Sequence, residues 1–473
     1  MSRLAPFLFG PILFTAACGR TGLQKRTTGD AAPTSTGTGG TPSTGGLPLT
    51  GGLASSGGLS SSGGLTASGG LTGSGGTTQV RTDAGTSPCT ANSDCPSLQV
   101  CNINTDGNCG PAAYTQVDVA DTNTCAVVSD GTLRCWGGNA QGQLGPKTTG
   151  SHLVPFQIPD QQKVRSVATG WGSTCVLLWT GQVNCWGYNV NGQLGCLNPV
   201  TSSNGPQCTP FAPGSQVSGI VAGAERACAR LTDGTVQCWG RNDHYDLGNG
   251  TNVNSFSPVV ASGVVDAAAI ATGLWQACAV IANGTAKCWG ANDRAQLGNG
   301  TTAANSVATL VYGEDGITDS VVAASPAEDH SCVLLADGSV QCFGENQYGQ
   351  LGDGKTVASN VPVASQFPKP AIGIVAGAKF TCAIVGGGLV QCLGYGASGQ
   401  LGNGAFAQSS TPVPVDLPEA VSVKSLAARY THACALSVEG RLWCWGANSA
   451  GQLGNGATAN SNVPVEVAAP SAH

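Results

Sequence analysis

Residues 434–456, CALSVEGRLWCWGANSAGQLGNG, are one copy of a pattern that the 473-residue chain carries seven times. Cysteines ten residues apart mark the copies: Cys125/Cys135, Cys175/Cys185, Cys228/Cys238, Cys278/Cys288, Cys332/Cys342, Cys382/Cys392 and Cys434/Cys444. Successive copies follow by 50, 53, 50, 54, 50 and 52 residues. A period of this size denotes a solenoid, a propeller or an array, because one repeat cannot bury its apolar face alone.

A glycine stands six positions after each first cysteine, at Gly131, Gly181, Gly234, Gly284, Gly338, Gly388 and Gly440, between short apolar stretches. This spacing reads as two strands joined by a tight turn with glycine in the left-handed position. The register then sets the two cysteines opposite one another, within disulfide reach. Seven pairs of buried thiols are the alternative. There is no Cys-x2-Cys spacing and no regular histidine, so no metal site is expected.

After the second cysteine comes a Trp-Gly step, replaced by Phe343-Gly344 in copy five and Leu393-Gly394 in copy six. An asparagine follows in six copies (Asn139, Asn189, Asn242, Asn292, Asn346, Asn448), with Gly396 in the sixth; a Gly-Gln-Leu-Gly run then appears complete in five. The apolar members read as core, and the Gly and Asn positions as turns needing unusual backbone angles.

These residues, from about Tyr114 to Val467, resemble the regulator of chromosome condensation repeat family. The resemblance implies an all-β, seven-bladed β-propeller. It says little about activity: the eponymous member promotes nucleotide exchange on a small GTPase and binds chromatin, whereas other relatives are secreted or membrane-associated. No residue here maps onto the exchange activity.

Each unit opens with an apolar strand such as Val164 to Ala168 and closes with a Pro-Val-x-Val type strand such as Pro412 to Val415. The last such strand, Pro464 to Val467, has no unit after it, and the first unit has none before it. The expected arrangement therefore has the C-terminal strand completing the first blade and closing the ring. Between Cys196 and Cys208 an insertion replaces the Asn-Gly-Thr of other copies. It reads as a protruding loop stapled by its own two cysteines.

Upstream, Met1 to Cys18 has one basic residue, a short apolar run and small residues before the cysteine, as in a secretory signal with a lipobox. Thr15 stands where leucine is usual, which leaves an ordinary signal peptide as the alternative. Lipidation is expected on Cys18, and the remaining 20 cysteines can all pair. Residues 19–88 are a Gly/Ser/Thr-rich stretch with Gly-Gly-Leu recurring every six residues, too poor in apolar side chains to bury a core. As a flexible tether it would span roughly 45–50 Å root-mean-square. Cys89, Cys95, Cys101 and Cys109 then form a dense Cys-rich knot over 89–110, of open connectivity, before the propeller at 114–468.

With 20 basic and 26 acidic residues the net charge is −6, which disfavours nucleic acid as a partner. No nucleophile elbow, P-loop, His-Glu-x-x-His or calcium loop occurs, so neither an enzyme nor a cofactor is expected. The better signal lies in the three residues ending two places before each first cysteine. Six of these 21 positions are charged and four are aromatic, against 10% and 5% for the chain. Equivalent loops of a propeller gather on one face, and Trp, Tyr and Arg are usual at binding hot spots. Trp171, Glu225, Arg226, Trp275, Glu328, Asp329, His330, Lys379, Phe380, Tyr430 and His432 are accordingly expected to bind a protein partner. Plugging the funnel or capping the blades is the competing role. The overall expectation is a monomeric, cell-surface, lipid-anchored binding scaffold. An exchange regulator, an extracellular enzyme with a funnel active site and a structural role in the envelope are the alternatives.

Overall fold

The computed structural model describes residues 92, 95, 99–104 and 108–470, except 146, 162, 197–201, 213 and 312–319. The signal segment with Cys18, the linker and Cys89 lie outside the described residues. Each of the seven copies forms four consecutive antiparallel strands. Blade one runs Tyr114–Val119, Asn123–Val128, Leu133–Gly137 and His152–Gln157; blade seven ends with Leu442–Gly446 and Ser461–Glu466.

The hairpin glycine does what its position requires. Gly131 has φ +77°, its amide donates to Val128 O at 2.9 Å, and Val128 N donates to Thr132 O at 2.9 Å. Cys125 therefore faces Cys135. The same register sets Cys228 against Cys238, Cys278 against Cys288, Cys332 against Cys342 and Cys382 against Cys392. These pairs, together with Cys175–Cys185 and Cys434–Cys444, are all disulfides, with Cα atoms 4.0–4.1 Å apart. Closing a loop of this length contributes about 3 kcal/mol by chain entropy.

None of these fourteen cysteines is more than 1% exposed, so they are buried, as in the thiol alternative, but bonded. The second cysteine of each hairpin also faces the outer strand. Cys238 lies opposite Val259, Cys288 opposite Thr309, Cys342 opposite Val363 and Cys392 opposite Val413. With an outer strand over each of them, Cys238, Cys288, Cys342 and Cys392 staple the blade interior and present nothing to a partner.

The expected exchange of the C-terminal strand does not occur. Val465 pairs opposite Cys444 within blade seven, and blade one takes its own outer strand, with Phe156 opposite Cys135. That strand escaped notice because it reads Val154-Pro155-Phe156 instead of Pro-Val-x-Val. With four strands in every copy, none is left over to swap. The ring closes through backbone hydrogen bonds, such as Tyr114 N to Gly440 O at 3.0 Å, through side chains and through a shared core. Tyr114, Val117 and Trp136 pack with Leu436, Leu442, Leu453 and Val467, and Tyr114 Oη donates to Ala468 O at 2.8 Å.

This closure repeats a clip used around the ring. Trp136 Nε1 donates to Gln452 O at 2.9 Å, as Trp186 does to Gln143 O, Trp239 to Gln193 O, Trp289 to Asp246 O and Trp445 to Gln400 O. Where Phe343 and Leu393 replace tryptophan, hydroxyls of Ser331 and Thr381 reach the corresponding carbonyls of Gln296 and Gln350. The repeated tryptophans thus pack the core and bind the blade before.

The asparagines act through their side chains, not through unusual backbone angles. Asn448 Oδ1 accepts from Leu453 N, and its Nδ2 donates to Ala457 O and Ala459 O, each at 3.0 Å. Positive φ belongs instead to both glycines of the Gly-Gln-Leu-Gly run, such as Gly451 at φ +82° and Gly454 at +70°, and to Tyr245 and Ala295 where the first is missing. Copy six lacks the clamp for a steric reason: a Cβ on Gly396 would lie 1.9 Å from Ala407 O. Restoring the repeat residue with Gly396→Asn is thus expected to destabilise by at least about 2 kcal/mol. A denaturant titration that showed increased stability would mean the clamp can be transplanted.

The insertion is not a free protrusion. Ser202–Cys208 forms the outer strand of blade two, with Cys208 opposite Cys185 and bonded to Cys196. The Cys-rich segment is likewise docked. Cys95 is bonded to Cys109, and Cys101 is also in a disulfide. Asn104 N donates to Ser129 O, its Nδ2 to Val128 O and Val164 O, each at 3.0 Å, and its Oδ1 accepts from Trp179 Nε1. Asn92 Nδ2 donates to Asp130. The knot therefore sits on the hairpin-turn ends of blades one and two, at the opposite end of the strands from the loops rich in charged and aromatic residues.

Candidate functional site: the loop face

Each blade's first and second strands are joined by one of these loops, and the three residues singled out in it have three different environments. Those nearest the second strand are buried between blades. Asn123, Arg226, Gln276, His330, Phe380 and His432 are all 1% exposed or less. Arg226 pairs with Asp246 at 3.1 Å and donates to the carbonyls of Gly273, Leu274 and Gln276 of blade four. His330 Nε2 meets Thr381 Oγ1 at 2.9 Å, and His432 Nε2 meets Thr124 Oγ1 at 3.1 Å, each across a blade boundary. Arg226, His330, Phe380 and His432 are therefore out of a partner's reach, contrary to the expectation from sequence. Charge and aromaticity at this position serve to pin blade to blade.

The middle residues, Thr122, Gly172, Glu225, Trp275, Asp329, Lys379 and Thr431, lie at the surface or just beneath it. Their carbonyls accept from the residue three places after the second cysteine: Arg241 N to Glu225 O and Ala291 N to Trp275 O at 2.9 Å, Glu345 N to Asp329 O and Tyr395 N to Lys379 O at 2.8 Å. This constant hydrogen bond fixes two variable side chains per blade side by side. A third, six places after the second cysteine, joins them. The residues nearest the axis, among them Trp171, Leu274, Glu328, Ala378 and Tyr430, ring the channel mouth; Trp171 N donates to Ala224 O and Ala378 N to Tyr430 O of adjoining blades.

The result is a crescent over blades two to six. Trp171, 44% exposed, meets Tyr188 edge to face at 5.8 Å. Arg241 lies 4.5 Å from the Trp275 ring centre, salt-bridges Glu225 at 3.0 Å and Asp243 at 2.6 Å, and His244 sits 5.3 Å from the same ring. Arg294 approaches Glu345 at 3.5 Å, and the Lys379 ammonium lies 5.4 Å from the Tyr348 ring, itself 4.8 Å from Tyr395. At the middle loop place and three and six places after the second cysteine, blades seven and one offer only Thr431, Ala447, Ala450, Thr122, Gly138 and Gln141, and at the axial place they carry Tyr430 and Asp121. Partly exposed ion pairs of this kind contribute little to stability, about 0–1 kcal/mol each. Glu225 is nearly buried beneath Arg241, while Glu328 and Asp329 are half-buried. Burial holds the Glu328 and Asp329 carboxyls above the usual carboxylate range, Glu328 also through repulsion from Asp329.

Tyr188, Arg241, His244, Arg294, Tyr348 and Tyr395 were not foreseen. The signal that revealed the loop positions, variation inside a constant framework, would have found them if carried past the second cysteine.

Regulator of chromosome condensation (RCC1) repeat models match residues 130–177, 233–280, 337–384 and 439–473, and a second model of the same repeat matches 114–143, 164–193, 217–245 and 423–452; together they span just over half the chain. Human WBSCR16 has a similar structure, with 22% identity, a TM-score of 0.65, and coverage of 74% of this chain and 95% of its own. Prp20p of Saccharomyces cerevisiae gives 18% identity and a TM-score of 0.59, covering 67% of this chain and 80% of its own. Both likenesses are of fold. These repeat matches, over more than half of its length, place the chain in the regulator of chromosome condensation (RCC1) repeat family.

Proposed function

We propose that the protein is an extracytoplasmic, lipid-anchored recognition module that binds a protein partner through the crescent on its loop face and carries out no catalysis. The observation behind this reading is the asymmetry of the rim. At the middle loop place and three and six places after the second cysteine, five adjacent blades carry aromatic or charged side chains where the other two carry small or plain polar ones, on one unvarying backbone scaffold. Aromatic and Arg side chains held rigidly at a surface are the usual anchors of an interface. Nine disulfides among the described residues favour an oxidising compartment. The knot, which follows the linker in sequence, docks on the opposite face, so the chain joins the propeller away from the crescent.

Prp20p has described binding to Gsp1p and histones. For this chain, a net charge of −6 and the disulfides weigh against equivalent partners. A photo-crosslinking side chain placed at Trp275 or Tyr395 in intact cells is expected to capture a discrete protein, whereas one at Ala447 or Ala450 captures none. Equal capture from both sides of the rim, or capture only from Trp179 on the knot face, would refute the assignment.

A further inference from the structure

A cavity of about 800 Å³, counting its open mouth, follows the axis between the innermost strands of the blades. Much of its wall is small and apolar, including Val167, Ile220, Ala222 and Ile270. Most polar wall groups are occupied in stitching blade to blade. Gln116 exchanges two hydrogen bonds with the backbone of Val167, Asp118 Oδ2 accepts from the amide and hydroxyl of Thr169, and Ser325 Oγ accepts from Ala376 N.

Arg429 is different. From blade seven it reaches blade four on the far side of the ring, where its Nη2 donates to Thr272 O at 3.4 Å. Its Nη1 is buried with no hydrogen-bond partner, and so is the hydroxyl of Thr272, a residue only 6% exposed. Arg429 forms no ion pair among the described residues; Asp118 feels its charge but is held to its own wall by Thr169. Arg429 and Thr272 touch and both line the cavity, so an unpartnered guanidinium N–H and an unpartnered hydroxyl on them suit a carboxylate, which such charge-assisted bonds hold best. Arg429 directly precedes Tyr430, and Thr272 stands two before Leu274, so the pair lies just beneath the mouth that opens on the loop face. Around the mouth the charge is reversed: Glu328 lies close enough to Asp121 to feel its charge.

We infer that the cavity receives the free C-terminal carboxylate of an extended peptide, taken by Arg429 Nη1 and Thr272 Oγ1, with small apolar side chains along the wall and a cationic residue upstream against Glu328 and Asp121. The acidic mouth opposes a bare anion, and the space exceeds one carboxylate. The inference deepens the proposed recognition role and rests on it for the ligand being a polypeptide. Its residues are distinct from the rim.

The test is calorimetric titration of the purified full chain with acetyl-Lys-Ala-Ala, its C-terminal amide, and acetate. The free acid is expected to bind, the amide at least tenfold more weakly, and acetate at least tenfold more weakly than the acid. Arg429→Gln should weaken the acid at least tenfold and the isosteric Thr272→Val several-fold, while Val438→Ala, in an exposed hairpin turn away from the loop face, leaves its affinity unchanged. Equal binding of acid and amide, full affinity in Thr272→Val, acetate binding as tightly as the peptide, or no binding of the acid at millimolar concentration would each overturn the inference. Peptide binding that persists while the rim captures no partner would separate this site from the crescent. Loss of peptide binding with crescent capture intact would leave the recognition role standing without this site.

Discussion

Replacing Arg226 by methionine is expected to lower stability by about 3–5 kcal/mol, because it strands a buried carboxylate. Arg226 and Asp246 are each 1% exposed at the side chain, and the guanidinium also satisfies three carbonyls of the next blade. Burial outweighs the attraction of Arg226 and pushes Asp246 up to about 6. Without Arg226 that value rises further. A carboxyl raised in the fold contributes most below its unfolded value, near 4, and loses that contribution as pH climbs through its folded value. The defect should therefore be larger at pH 8 than at pH 5. The double variant Arg226→Met/Asp246→Leu should recover a substantial part, since a buried pair replaced by apolar groups is often neutral. Recovery stays incomplete, because the carbonyls of Gly273 and Leu274 lose their donor, whereas Gln276 O keeps the Gly273 amide at 2.8 Å. Denaturant midpoints of the single and double variants at both pH values check this. A single variant as stable as the parent would show that the pair is not a blade pin.

Acid should act mainly through two histidines. Thr124 Oγ1 gives its proton to Gln452 O and Thr381 Oγ1 gives its own to Gln350 O, so each hydroxyl must accept from the neighbouring histidine Nε2–H. The Nδ1 atoms of His432 and His330 are then bare, buried and unpartnered. A proton added there would bring a charge with no acceptor, and burial lowers both groups to about 3. Their contribution is full above the unfolded value near 6.5 and is lost as pH falls from there toward 3. The loss approaches about 1.4 kcal/mol per pH unit for each histidine. Asp246, Asp118 and Glu328, raised by burial, work in the opposite direction in acid. The histidine part is therefore isolated by difference. Between pH 6 and 4 the stability gap between the protein and His330→Gln/His432→Gln should change by about 2.7 kcal/mol per unit. Parallel stability curves would contradict the assignment.

Much of the fold could be read from the repeat, because one constraint recurs seven times: a left-handed glycine fixes the turn, the turn fixes the register, and the register pairs the cysteines. Ring closure could not be read, since the first blade's outer strand lacks the Pro-Val-x-Val pattern and a strand seemed missing. The site was legible only in part. A charged or aromatic residue in a loop can point to solvent, as Trp171 and Lys379 do, or between blades, as Arg226 and Phe380 do; composition does not distinguish the two. One residue of displacement along the loop decides it. Half of the crescent was also hidden because Tyr188, Arg241 and Tyr395 join it only through the cross-loop hydrogen bond that seats them beside the loop residues.

The most direct test of the recognition face is hydroxyl-radical footprinting of the protein in its native membranes against the purified protein. Trp171, Tyr188, Trp275, Tyr348 and Tyr395 should be protected in the membranes and oxidised after purification, while Trp179, 51% exposed on the knot face, is oxidised equally in both. Equal oxidation of the crescent in both preparations, or protection confined to Trp179, would contradict a partner-binding role for the loop face.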